Sequence, residues 1–508
     1  MRLEQVFTSR NGFGIETASP LQRAICRAAD GEALDELWEA ETVRKAFGIQ
    51  PPVGFVPDTM VVLAAIRTAK STLAAARAFV SSQTVDLTGV RNGDEIRIPI
   101  LSTDKDSARA TFTHLAGAIM GSKSLRSRVI GEPTADTIWL RHPLGAPIEI
   151  RVTALARYGS TVISRWLAGI IFDEAPRMSG EEDAVLNLTE AMRASAGRIL
   201  PGGQTWLVGS PYAPLGPVYE MALEHEGRPS KTVVVIRAPG PAMHPGHWTP
   251  QRCADLMVKD PKAYQTDVLA EFADPESALF ASTMVERSRR TGPDVLPPVQ
   301  RVNYVACLDT ATRNPNWTLV IVGNYGNIAG PGGNQPLLRV ALAKQWSPKT
   351  TEPLKADTVL GEAAGHLRAY GLDAAYVLPR TVANLYALAR RHDVTLSISE
   401  ELDALMMTEQ LSVPLSHGTL ELTPDRGMRN DLVGVRKILT PAGHRLSLPK
   451  TGDGRHADYV MPLATCYAHA PKPPAPLETE HDRTFRAHMA RMRSDDNNGY
   501  DAACRRMF

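Results

Sequence analysis

The sequence predicts an α/β protein of more than one domain, the first built on a parallel sheet that presents a phosphate-binding loop. Three observations predict it. The apolar run Thr59-Met60-Val61-Val62-Leu63-Ala64-Ala65 leads through Ile66-Arg67-Thr68-Ala69 to Lys70-Ser71-Thr72 and an Ala-rich helical stretch reaching Phe79. A second run, Gly169-Ile170-Ile171-Phe172, closes on two adjacent carboxylates, Asp173 and Glu174. Around both, apolar runs alternate with helix-patterned segments, the order expected of strands joined by crossover helices.

At 508 residues the chain exceeds what one core supports, so two or three domains are expected. Its 43% hydrophobic and 22% charged residues are ordinary for a globular chain. The formal charge of +1 argues against strong global attraction to nucleic acid and leaves room for a local basic groove. Cys26, Cys253, Cys307, Cys466 and Cys504 are scattered without CxxC spacing, which implies neither a disulfide framework nor a zinc site and suits a reducing compartment. No apolar run is long enough to span a bilayer, and Met1-Arg2-Leu3-Glu4-Gln5 begins no signal-peptide core. An intracellular protein with no membrane partner is expected.

Taken in order, Leu21–Arg27 and Leu34–Trp38 show helical spacing of apolar residues. The amide of Gln22 could read an adenine edge; a solvated helix position is the plain alternative. In the loop that follows the first strand, backbone amides and the helix dipole would meet phosphate, Lys70 would neutralise the β/γ oxygens and Ser71 would ligate magnesium. Ala64 and Ala69 stand where glycines are usual in such loops, so this loop must be shaped differently. Strands are expected at 96–102 and 148–152, a helix from 103, and a basic turn at 157–161. At the end of the second apolar run, Asp173 would orient magnesium and Glu174 would polarise water. Alternatively the pair only opens the next helix, where acidic residues suit the dipole. A further strand, 204–208, runs into Gly209-Ser210-Pro211, which could contact the γ-phosphate region or form a plain turn.

In the second half, 289–298 reads as an interdomain connection rich in turn residues. Val302–Asp309 reads as a strand ending in a carboxylate, with Leu319–Gly323 as its hairpin partner. Leu411–Leu415, Thr419–Leu422 and His444–Leu448 read as short strands. Pro471-Lys472-Pro473-Pro474 begins a stiff linker followed by a basic segment with Arg483, Arg486, Arg491 and Arg493.

Assembled, these blocks resemble the large terminase subunit of tailed bacteriophages, over about residues 20–470. Ala65–Ser71 looks like that family's Arg-containing Walker A, Ile170–Ala175 like its Walker B, Gly209-Ser210-Pro211 like its coupling motif, and Asp260–Phe272 like the helix closing its ATPase domain. The resemblance implies a P-loop (ASCE-type) ATPase domain followed by an RNase H-like nuclease. The implied division is a helical segment 1–55, an ATPase domain 56–275, a linker 276–298, a nuclease 299–470 and a tail 471–508. ATP would rest on Gln22 and on Arg67, Thr68, Ala69, Lys70, Ser71 and Thr72, with Mg2+ on Ser71 and Asp173. An arginine from a neighbouring subunit, Arg157 or Arg165, would complete the site. The nuclease would hold Mg2+ or Mn2+ on Asp309 and Asp458. Ala457 replaces an acid common in the family, and Pro379-Arg380 stand where it ends a strand in an acid; Asp373, Glu362 and His456 are candidates for the missing contacts, with Asp393 and Glu401 behind them. Implied partners are double-stranded DNA, the procapsid portal, the small terminase subunit and a homo-oligomeric ring, a pentamer by resemblance, working in the host cytoplasm while docked on the procapsid. The alternatives are a packaging ATPase whose second domain only binds DNA, and a helicase-like translocase.

Overall fold

The computed structural model describes residues 1–155, 162, 165–178, 188–310, 316–330, 333–348, 354–379, 384–399, 403–440, 443–448 and 457–471. Its first sheet contains β1 (Thr59–Ala64), β2 (Ile96–Ser102), β3 (Val129–Ile130), β4 (Thr137–Arg141), β5 (Pro147–Ala154), β6 (Trp166–Leu167), β7 (Ile170–Asp173), β8 (Thr205–Gly209) and β9 (Val233–Ala238). The spatial order is β3-β4-β5-β2-β7-β8-β1-β9, with β6 pairing β2. Every pairing from β5 to β9 along this order is parallel. The parallel sheet gains an antiparallel edge, where β4 is antiparallel to both β3 and β5. The reason is length: the turn between β4 and β5, closed by His142 N–H donating to the Ala146 carbonyl, is too short for a crossover and permits only a hairpin.

Residues of β1 divide alternately between two cores. Met60, Val62 and Ala64 face the helices Lys70–Thr84 and Lys105–Gly121 and the N-terminal helices Leu3–Thr8 and Pro20–Ala29. Val61 and Leu63 face the other side with Phe172 and Leu207, under the helices Leu188–Ala196 and Pro217–His225. Burial on both faces explains why the central strands read as continuous apolar runs.

The second sheet contains β10 (Asn303–Asp309), β11 (Trp317–Gly330), β12 (Gly333–Trp346), β13 (Ala374–Val377), β14 (Thr395–Ile398) and β15 (Leu420–Glu421), ordered β14-β13-β10-β11-β12-β15. β10, β11 and β12 form an antiparallel meander, while β13 runs parallel to β10 and β14 parallel to β13. This is the strand order of an RNase H-like sheet with one added edge strand. Ala306 and Leu308 pack under the helix Ala356–Ala369; Val305 and Cys307 face the helix Val460–Ala468. A separate hairpin pairs β16 (Arg436–Thr440) with β17 (Gly443–Ser447).

Two expectations are overturned here. Leu411–Leu415 is not a strand: Ser412–His417 is a helix. Leu411, Pro414 and Leu415 are buried at helical spacing, the proline lies in the first turn where its missing N–H does no harm, and Gly418 ends the helix in the left-handed region at φ 68°. The presumed linker 276–298 is packed structure: Ser282–Ser288 is a helix, and Phe280 and Val285 lie in the second core. Leu279 N–H donates to the Val435 carbonyl and Leu296 N–H to the Ala341 carbonyl.

The domains are directly bonded to each other. From the helix Arg426–Gly434, Arg429 Nη1 donates to the Pro214 carbonyl at 2.6 Å, and its guanidinium lies 4.9 Å from the Tyr219 ring centre. Asn430 Nδ2 donates to Glu220 Oε1 at 2.8 Å. Among the described residues Cys26, Cys253, Cys307 and Cys466 are free thiols, and no described helix is long and apolar enough to cross a membrane.

Candidate active sites

The first site lies at the carboxyl edge of the parallel sheet, where β1 and β7 end with β8 between them. After β1 the chain turns through Arg67 at φ 59° and Ala69 at φ 60° before the helix begins at Lys70. A left-handed conformation costs a non-glycine residue about 1–2 kcal/mol, so two of them make a strained loop. Among the described residues, none accepts a hydrogen bond from the amides of residues 67–72. A run of such amides ahead of a 15-residue helix is a cradle for phosphate oxygens.

Lys70 crosses the edge of the sheet. Its Nζ lies 3.2 Å from Ser210 Oγ and 3.6 Å from Glu174 Oε1. One ammonium therefore touches the turn after β7 and the turn after β8. Glu174 sits in the left-handed region at φ 56°, and the same turn approaches β8 so closely that a Cβ on Gly209 would fall 2.5 Å from Pro176 Cδ and 3.1 Å from Glu174 Cα. Gly209 is needed for that approach.

Asp173 is 2% exposed. Its Oδ1 accepts from the Glu174 amide at 3.1 Å, its Oδ2 from the Thr111 hydroxyl, and its backbone carbonyl from Ser102 Oγ at 2.9 Å. Burial pushes its carboxyl up to about 6, against the Thr111 bond, which favours the charged form. A buried carboxylate held at both oxygens, with Ser71 on the facing helix, is a hard-oxygen donor set that fits magnesium.

Gln22 is not a solvated helix position: it is 4% exposed, its Oε1 accepts from Ser19 N–H at 2.9 Å in a capping box, and its Nε2 donates to the Thr68 carbonyl at 3.0 Å. Arg165 precedes β6, whose Trp166 pairs with Ile96 at the amino end of β2, the edge opposite Lys70 and Asp173, and its Nε is bonded to Glu95 at 2.6 Å. Arg157 lies outside the described residues.

The second site is a row across three strands. Thr318 is the register partner of both Asp309 on β10 and Gln345 on β12. The row continues the face of Cys307 and Val320, which packs against the helix Val460–Ala468. Asp458, 5% exposed, stands just before that helix. Its Oδ2 accepts from Asn316 Nδ2 at 3.1 Å and Gln345 Nε2 at 3.4 Å, and its carbonyl accepts from Thr318 Oγ1 at 3.0 Å. The structure thus brings Asp309 and Asp458 to one patch. Ala457 enters it at φ 55°, and buried Asp431 holds the Tyr459 amide at 3.0 Å, fixing the backbone beside Asp458.

The other acidic candidates do not join them. Asp373 lies at the amino end of β13, whereas Leu308 at the carboxyl end of β10 pairs with Val377; at about 3.3 Å per residue Asp373 is well over 10 Å from the Asp309 level. Glu362 is on the outer helix Ala356–Ala369, on the opposite face of the sheet, and accepts from Trp346 Nε1 at 2.7 Å. Asp393, at φ 59°, belongs to the turn before β14. His456, Arg380 and Glu401 lie outside the described residues. Among the described residues no group of three or more His, Cys, Asp or Glu is placed to hold a metal ion. Asp309 and Asp458 are hard-oxygen donors of the type divalent cations take; a pair of cations about 4 Å apart calls for further carboxylates.

No family model matches the sequence, and no curated protein matches it. Solved structures similar to this chain include large terminases. That of bacteriophage HK97 is 14% identical, over 89% of this chain and 95% of that one, with a TM-score of 0.47. A large terminase from a thermophilic bacteriophage, also solved with ADP and with ATP-gamma-S, is 12% identical over 88% of this chain and 98% of its own, with a TM-score of 0.33. The large terminase nuclease of thermophilic phage G20c, also solved with magnesium, is 12% identical over 38% of this chain and 98% of its own, with a TM-score of 0.29.

Thr111, Asp431 and the Asn316–Thr318–Gln345 group were not legible as site residues. Each acts through a partner at least 28 positions away, and no local pattern marks it.

Proposed function

We propose that this chain is a viral DNA-packaging motor subunit that hydrolyses ATP to move double-stranded DNA into a procapsid and cuts concatemeric DNA. The observation that carries this reading is the single ammonium of Lys70 spanning Ser210 and Glu174 at the edge of a parallel sheet, in a chain whose second sheet gathers Asp309 and Asp458. In the first site the amides of residues 67–72 and Lys70 bind the phosphates. Ser71 and Asp173 hold magnesium, which when bound neutralises the charge developing on the transferred phosphoryl group. Glu174 orients a water and takes its proton. Nucleotide competing for Lys70 alters its contact with Ser210, so the turn Gly209-Ser210-Pro211 reports the state of the site to the segment held by Arg429.

In the second site Asp309 and Asp458 hold Mg2+ or Mn2+ for phosphodiester cleavage. A second reading, a domain that binds DNA and cuts it weakly or not at all, is favoured by the two carboxylates that the described residues bring together. A helicase-like translocase is disfavoured because the second sheet is built on an antiparallel meander with a strand ending in Asp309, and does not repeat the parallel ATPase-like sheet of the first. The working assembly on this reading is a homo-oligomeric ring, pentameric on the family pattern, docked on the portal in the host cytoplasm and loaded by the small subunit. The test is DNA-stimulated ATP hydrolysis by wild type and Glu174→Ala, with plasmid cleavage by wild type and Asp309→Ala in the same preparation. Loss of each activity in its own variant supports the motor; hydrolysis that survives Glu174→Ala sinks it. Hydrolysis without any cleavage in either metal leaves a motor with a DNA-binding second domain.

A further inference from the structure

A glycine-poor phosphate loop needs something to hold its shape. Three consecutive peptide groups of this loop have their carbonyls tied from outside. The Ile66 carbonyl accepts from Trp248 Nε1 at 2.9 Å, the Arg67 carbonyl lies 2.9 Å from His244 Nδ1, and the Thr68 carbonyl accepts from Gln22 Nε2 at 3.0 Å. A carbonyl only accepts, so His244 carries its proton on Nδ1. In a planar peptide the N–H points opposite to the C=O. Holding those three carbonyls outward therefore turns the amides of Arg67, Thr68 and Ala69 inward, and among the described residues these are amides with no acceptor.

The three donors come from two distant parts of the chain. Gln22 is fixed by its capping box in the N-terminal helix Pro20–Ala29. His244 and Trp248 follow β9, where Gly240 lets the indole lie close: a Cβ there would fall 2.5 Å from Trp248 Cδ1. Loop backbone that carries two left-handed non-glycine residues has reason to relax once these ties are cut.

We propose that Gln22, His244 and Trp248 are positioning residues for the nucleotide phosphates, holding from outside the amide cradle that glycines provide in other loops of this kind. The proposal rests on reading residues 65–72 as the phosphate site. It assigns the N-terminal segment and the stretch after β9 to the affinity of that site for the triphosphate.

The test measures ATP-gamma-S binding to the full-length protein by calorimetry, together with KM and kcat for ATP. Trp248→Phe and Gln22→Met, each removing one donor at similar volume, are expected to weaken binding about tenfold, with KM rising more than kcat falls. His244 is exposed, so His244→Ala should weaken binding while the melting temperature without nucleotide stays that of wild type. His244→Asn, which restores an N–H donor, should recover affinity. Wild-type binding in His244→Ala and Trp248→Phe overturns the proposal and leaves the phosphate site standing. Lys70→Ala separates the two: if it binds as wild type does, the phosphate site itself is wrong, and the positioning role fails with it.

Discussion

The two carboxylate centres are built on different electrostatic plans. At the first, Glu174 already has a cation of its own chain at 3.6 Å, and Asp173 is buried beneath it with both oxygens bonded. At the second, Asp458 accepts from the side-chain amides of Asn316 and Gln345, in the row that holds Asp309. The first centre presents a lysine beside its carboxylates to the substrate; the second presents a pair of carboxylates, the donor type that takes a metal ion. Chemistry at the first centre should therefore respond most to side chains, and at the second most to the metal supplied.

The sharpest way to break that contrast is through the general base. Glu174→Gln should lower ATP turnover about 10²–10⁴-fold while ATP-gamma-S binding, read by calorimetry, persists. Turnover within a few-fold of wild type would remove Glu174 from the chemistry. At the second centre, Asp309→Asn should abolish metal-dependent plasmid nicking and leave DNA-stimulated ATPase intact. Equal loss of both activities would mean that the centres are not separable.

Stability effects come next. Asp173 has a carboxyl raised above its unfolded value of 3.8 to about 6. Below 3.8 both states hold the proton; between 3.8 and 6 the folded state holds it and the unfolded state does not, so stability falls as pH rises through this window. The shift corresponds to about 3 kcal/mol at pH 7. In metal-free buffer Asp173→Asn should therefore melt higher than wild type at pH 7 and lose the advantage near pH 4, although it is inactive; thermal scans at both pH values check this. Gly209→Ala forces a Cβ into the Glu174–Pro176 turn and should cost about 1–3 kcal/mol in urea unfolding, with ATPase lost beyond that. The smallest effect belongs to the link between domains. Arg429→Ala strips the Pro214 carbonyl and Glu286 of a partner and should cost about 1–2 kcal/mol, seen as earlier proteolysis between the domains in limited digests.

What could be read from the chain follows the same division. β1, β7 and β8 were legible because strands buried on both faces are written as unbroken apolar runs, and Lys70, Asp173 and Glu174 because each sits where such a run ends. Asp309 was legible for that reason, and Asp458 only through a resemblance. The anchoring of Gln22 could not be read, because a buried amide finds whatever carbonyl the fold brings, here one 46 residues away. Leu411–Leu415 was misread because five residues of mixed polarity do not separate a period of 2 from one of 3.6. The packed run 276–298 looked like a linker because arginine, glycine and proline make up six of the ten residues 289–298, yet Arg290 is held by the Val340 carbonyl at 2.8 Å.

The close passage of Gly209 beside Glu174 also bears on how this sequence can drift. A side chain at 209 is blocked by a proline ring and a backbone atom of the neighbouring turn, and that turn is held in a conformation that favours few residue types. Positions 176 and 209 therefore behave as one inherited unit, in which a change at 209 is tolerated only after 176 has made room. In a library of random variants selected for retained hydrolysis, exchanges at 209 should be recovered alongside replacements of Pro176 and be nearly missing as single changes.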